Sequence, residues 1–131
     1  MRFIASLTAL AFLAACATAP ASAPAQPGAP SVAPSSSAHA RLTQMLSAAG
    51  RQDAPTQAEI TRAFGAPDIA RQDGAGAALT YRFENCALLL LFAADARNAM
   101  RLTESHASAR RNGAAAPSPD QCAAEAAARR S

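Results

Sequence analysis

From residue 39 onward the apolar positions follow first a helical and then an alternating period. Leu42, Met45, Leu46 and Ala49 recur at helical spacing, with Ser37 as N-cap and Gly50 at the stop, and predict a first helix. Thr56 and Glu59 form a capping-box pair ahead of the stripe Ile60, Ala63 and Phe64, and Gly65 and Pro67 end this second helix. Residues 66–78 read as a loop with an Asp73-Gly74 turn. Leu79, Tyr81 and Phe83 then alternate with Thr80, Arg82 and Glu84, the pattern of a strand buried on one face. Cys86 to Phe92 is apolar at every position, which predicts a central strand covered on both faces. After a turn at Asp95 to Asn98, Met100-Arg101-Leu102-Thr103 completes an antiparallel meander. Beyond a loop from Arg110 to Ala116, Ser118-Pro119-Asp120-Gln121 supplies an N-cap, a first-position proline and a capping glutamine for a terminal helix. Cys122 falls in its first turn, and Arg129 and Arg130 stand where positive charge suits the helix dipole. The expected fold of residues 39–131 is therefore α+β: two N-terminal helices, a three-stranded antiparallel meander and a C-terminal helix.

The first 38 residues follow a different logic. Met1-Arg2 opens on a positive charge, Phe3 to Leu13 is apolar apart from Ser6 and Thr8, and small residues follow, as in an export signal. A transmembrane helix is the competing reading, but a helix from Phe3 to Ala15 spans only about 20 Å against a hydrocarbon core of about 30 Å. Leu13-Ala14-Ala15-Cys16 resembles a lipobox, the sequence in which a cysteine thiol takes up diacylglycerol before the signal is removed. The resemblance implies a signal peptide over 1–15, cleavage before Cys16 and anchoring to the bilayer through the acylated cysteine, with simple Ala-x-Ala cleavage as the alternative. Ala17, rather than Asp, follows the cysteine, and by resemblance to lipoprotein sorting signals this favours the outer membrane, facing the periplasm. Residues 16–38 carry the lipid site and an Ala/Pro/Ser-rich tether with prolines at 20, 24, 27, 30 and 34.

Composition sharpens the picture only in places. The chain has 131 residues, and about 90 remain to build a core once the signal and tether are set aside, a size at which an added staple helps. Half of the residues are hydrophobic, but alanine supplies much of that share, and aromatics make up 5% with no Trp. The net charge of +3 comes from arginines spread along the chain. Without a basic face interleaved with aromatics there is no nucleic-acid signature, and mild affinity for anionic lipid is the most that this charge implies.

The motifs Thr56-Gln57-Ala58-Glu59-Ile60, Phe64-Gly65-Ala66-Pro67 and Leu79-Thr80-Tyr81-Arg82-Phe83 together resemble the SmpA/OmlA, or BamE-like, type of small outer-membrane lipoprotein. Members of that type accompany the β-barrel assembly machinery, and the resemblance implies a helix, helix, three-strand order and an envelope protein as partner. The Gly-x-Pro turn carries architecture better than activity.

With Cys16 assigned to lipid, Cys86 and Cys122 remain, and an exported domain folds where disulfides form, so pairing is expected. A redox or catalytic thiol is the rival, although there is no Cys-x-x-Cys and no histidine nearby in sequence. His39 and His106 lack metal-ligand spacing and read as surface residues. Glu59 reads as a cap rather than a general acid, and Glu84 as the polar side of a strand. No catalytic residue, metal site or cofactor is expected. The short alanine-rich helices leave one face of the apolar strand partly open, which favours a protein-binding or envelope-assembly module. A small envelope enzyme and a purely structural lipoprotein are the alternatives.

Overall fold

The computed structural model describes residues 34–131. The signal peptide, Cys16 and most of the tether therefore lie outside the described residues. Helix α1 runs Pro34–Ser47 and begins inside the stretch expected to be tether, upstream of the expected cap at Ser37. A proline is no obstacle there, because the N–H it lacks has no partner in the first turn of a helix. Leu42 and Leu46 are buried, and Gly50, at φ +76°, turns the chain so that its N–H donates to Leu102 O at 3.0 Å. The end of α1 is thus tied to the sheet.

Helix α2, Gln57–Phe64, has the expected capping box in full and buries Ile60, Ala63 and Phe64. It stops at Gly65, whose φ of +92° an L side chain rarely adopts. The Gly65 carbonyl accepts from the Tyr81 hydroxyl at 3.1 Å, which fastens the helix end to the sheet.

The sheet has four strands rather than three: β1 Ile69–Asp73, β2 Gly76–Arg82, β3 Cys86–Ala94 and β4 Met100–Ala109, all antiparallel and in the order β1-β2-β3-β4. The extra strand lies in the expected loop. Its residues, Ile-Ala-Arg-Gln-Asp, are almost all exposed, so no buried alternation marks them, and they form the edge partner of a hairpin turned at Gly74. Strand β4 is longer than Met100 to Thr103 because the small and polar residues to Ala109 still pair with β3. A bulge between Leu91 and Phe92 shifts the register within that pair.

Helix α3, Pro119–Arg129, starts with a second complete capping box, Ser118 with Gln121. It buries Cys122, Ala123, Ala126 and Ala127, whose small side chains allow close approach to α1 and to β3. One core joins Leu42 and Leu46 of α1, Ile60 and Phe64 of α2, and the alanines of α3 to Leu79, Tyr81, Leu88, Leu90, Phe92 and Leu102. The helices thus share one face of the sheet. Strand β3 is central, as expected, but only its Cys86, Leu88, Leu90 and Phe92 side is fully buried, so the expectation of cover on both faces does not hold.

Candidate functional site

The face of the sheet that the helices do not cover is defined by the strand register, since residues directly opposite one another point to the same side. One row across it is Arg71, Ala78, Leu91 and Glu104; the next is Ile69, Thr80, Leu89 and His106. Leu89 and Leu91 are partly exposed in the middle, whereas Arg71, Glu104 and His106 are exposed on the two edge strands. On β2 the residues opposite the leucines are Ala78 and Thr80, both small, with Gly76 beyond one and the exposed Arg82 beyond the other. The result is a pair of partly exposed leucines beside a row of smaller residues, with an arginine at one edge and a carboxylate at the other. The Glu104 carboxylate lies 2.7 Å from His106 Nε2. Arg71 has no ion pair among the described residues.

A second surface lies between α1 and α2, a groove of about 400 Å³ lined by residues that include Arg41, Arg51, Arg62 and Arg101. Two of its arginines are already engaged. Arg101 Nε donates to Asp95 at 2.7 Å and its Nη1 to Ala54 O at 2.9 Å, and Arg51 pairs with Asp53 at 3.0 Å on the exposed rim. Asp95 also accepts from the N–H groups of Arg97 and Ala99. The Ala99 and Arg101 hydrogen bonds are the main reasons that its carboxyl is held below the usual aspartate range.

The structure assigns the remaining sequence candidates as follows. Cys86 and Cys122 stand at disulfide distance, with Cα atoms 5.6 Å apart and both side chains buried. Glu59 accepts from the Thr56 N–H at 2.7 Å and the Thr56 hydroxyl at 2.8 Å, and these bonds hold its carboxyl below the ordinary glutamate range. Such a group favours its charged form and is suited to capping rather than proton donation. Glu84 sits in the turn between β2 and β3, not on a strand, and faces Arg111 at 3.8 Å. The two histidines lie apart, each with a carboxylate: His39 Nε2 is 3.1 Å from Asp120, and His106 is paired with Glu104. Among the described residues no three His, Cys, Asp or Glu side chains gather as a metal site, and no helix is long and apolar enough to cross a membrane.

Arg71 is not legible in the sequence because it lies on the strand that no apolar pattern marks, and the place of Glu104 and His106 is not, because the apolar pattern of β4 ends before them. The partly open face of the apolar strand is itself legible, because β3 carries more leucine than one buried side requires; its charged edges are not. Comparison with known protein families, curated proteins and solved structures found no match to this chain.

Proposed function

We propose that this chain is an exported lipoprotein, cut before Cys16 and anchored there by acyl chains, whose folded domain binds an envelope protein and carries out no catalysis. The observation that supports the binding role most directly is the open sheet face. Leu89 and Leu91 stay partly exposed on a central strand whose other side is buried from Cys86 to Phe92, and contiguous apolar surface of this kind marks interaction sites. The lipobox Leu13-Ala14-Ala15-Cys16 supports the anchor, and two or more acyl chains hold a protein far more firmly than one. Ala17 favours the outer membrane, with the domain facing the periplasm. The helix, helix, strand order, together with the Thr56 capping box and the Gly65 turn, suits an assembly accessory of the BamE-like type, to which the added strand β1 and helix α3 are departures.

Two measurements test this. Cys16→Ser should leave the precursor uncut or release the protein to the soluble fraction, and normal processing with unchanged membrane retention would overturn the anchor. A photo-reactive residue at Leu89, in living cells, should trap a protein of the envelope reproducibly. The same residue at the buried position Leu90 serves as control, and capture at neither position, or equally at both, would overturn the binding face.

A further inference from the structure

The open face is built to fit itself. Consider a two-fold axis running parallel to the strands, between β2 and β3 and midway between two stacked copies. Such an axis keeps every row in register, sets β1 of one copy over β4 of the other, and sets β2 over β3. In the first row Arg71 then meets Glu104 of the second copy, and Ala78 meets Leu91; in the next, Thr80 meets Leu89 and Ile69 meets His106. In these two rows large meets small at the centre and Arg71 meets Glu104 at both edges, while in the row beyond Thr80 the exposed Arg82 lies over Ala87 of the second copy. Within one chain Arg71 and Glu104 lie on opposite edge strands, about 14 Å apart at ordinary strand spacing, so they are not each other's partners.

We infer that the partner of the open face is a second copy of this chain, stacked sheet on sheet about a two-fold axis that pairs Arg71 with Glu104 in both directions. Aligned sheets pack about 10 Å apart with their strands within about 30° of one another, a geometry in which Leu89 and Leu91 of one copy rest on the smaller Thr80 and Ala78 of the other. A sheet of this size presents roughly 450 Å² per copy, so the total of roughly 900 Å² falls below that of a standard stable interface. The association is therefore weak in free solution. Confinement of both copies to one membrane by their lipid anchors raises the effective concentration and compensates for the small area. The inference rests on the binding-face reading above and names its occupant.

The test uses the full chain in its own membranes, expressed as two differently tagged copies that both carry Thr80→Cys, a position beside the axis. A short bismaleimide should join the two tags. R71E copies alone and E104R copies alone should each crosslink at least fivefold less, because like charges then meet at both edges. R71E copies mixed with E104R copies should crosslink at the original yield, since the mixed pair restores attraction at both edges. That recovery also shows that each variant folds. Absence of a T80C crosslink, or equal yields in all combinations, would overturn the second copy as partner. Should the photo-reactive residue at Leu89 then trap a different envelope protein, the binding-face reading survives alone; should it trap nothing, both fail.

Discussion

At the scale of single residues, polar groups in this domain are placed to close turns and fix ends. Asp95 is the clearest case. Its carboxylate gathers the N–H groups of Arg97 and Ala99, at 2.8 and 2.9 Å, and the guanidinium of Arg101, which in turn reaches the Ala54 carbonyl beyond α1. One carboxylate therefore shapes the β3–β4 turn and positions the bridge to the α1–α2 segment. Because its folded pKa is depressed, Asp95 contributes stability above the unfolded carboxylate pKa, and that contribution is lost as pH falls through the folded value. Glu59 and Asp120 are shifted the same way, Glu59 by its hydrogen bonds from Thr56 and Asp120 chiefly by that from the Thr43 hydroxyl. The melting temperature should accordingly change little between pH 7 and the ordinary carboxylate range and drop below it. Asp95→Asn should melt lower than the parent at pH 7, and the gap should close in acid as the parent loses its own carboxylate. A gap that is constant with pH would remove the charge from this account. At the α2 cap, Thr56→Ala should cost about 1 kcal/mol, the usual loss for an N-cap side chain.

At the scale of elements, α3 shows how a helix of small side chains can be held. It offers the core only alanines and Cys122, so burial alone fixes it weakly. Cys122 in its first turn stands at disulfide distance from Cys86 at the start of β3. At the same end Asp120 accepts from the Thr43 hydroxyl of α1 and lies 3.1 Å from His39. Further along, Glu125 accepts from the Asn85 N–H at 3.1 Å, the Arg129 guanidinium lies 4.9 Å from the centre of the Phe83 ring, and Arg130 donates to the Ala63 carbonyl at the end of α2. The cysteine pair encloses a separation of 36 residues, for which loop-closure entropy gives roughly 4 kcal/mol. The double variant C86A/C122A should melt lower by roughly 15 °C or more on that basis. It should nonetheless keep its helical circular dichroism, because the polar ties along α3 remain. A non-reduced digest should contain the two cysteine peptides joined, and free thiols at both positions would defeat the pairing.

The element scale also shows what sequence can disclose. Both capping boxes were legible because they are local, four-residue signals, and so was the alternation of β2. Strand β1 was not, because an exposed edge strand is held by its hairpin neighbour and needs no apolar side of its own. The start of α1 at Pro34 is hidden in the sequence, because a proline reads as a breaker until its position in the first turn is known. The Asp120 contacts with His39 and Thr43 join residues 81 and 77 positions apart, and no local pattern signals them. The closeness of Cys86 and Cys122 agrees with the pairing expected from their count and an expected export, whereas the charged edges of the open face needed the register of all four strands.

At the scale of the whole molecule, the described residues form two layers, with helices on one side of a sheet and the partly exposed Leu89 and Leu91 on the other. Strand β3 belongs to both, so adjacent leucines should answer differently to substitution. Leu90 is fully buried against the helices, and truncating such a residue costs about 2–5 kcal/mol, so Leu90→Ala should lower the melting temperature by roughly 10 °C or more. Leu91, its neighbour, points to the open face and is partly exposed. Threonine is at home on a half-exposed strand, so Leu91→Thr should shift the melting temperature of the monomer by only a few degrees while sharply reducing the T80C crosslink in membranes. The contrast separates a face kept for a partner from a face that the domain itself consumes. If Leu91→Thr destabilised the monomer as much as Leu90→Ala, the second leucine row would belong to the core, and the open face would lose its role as a binding surface.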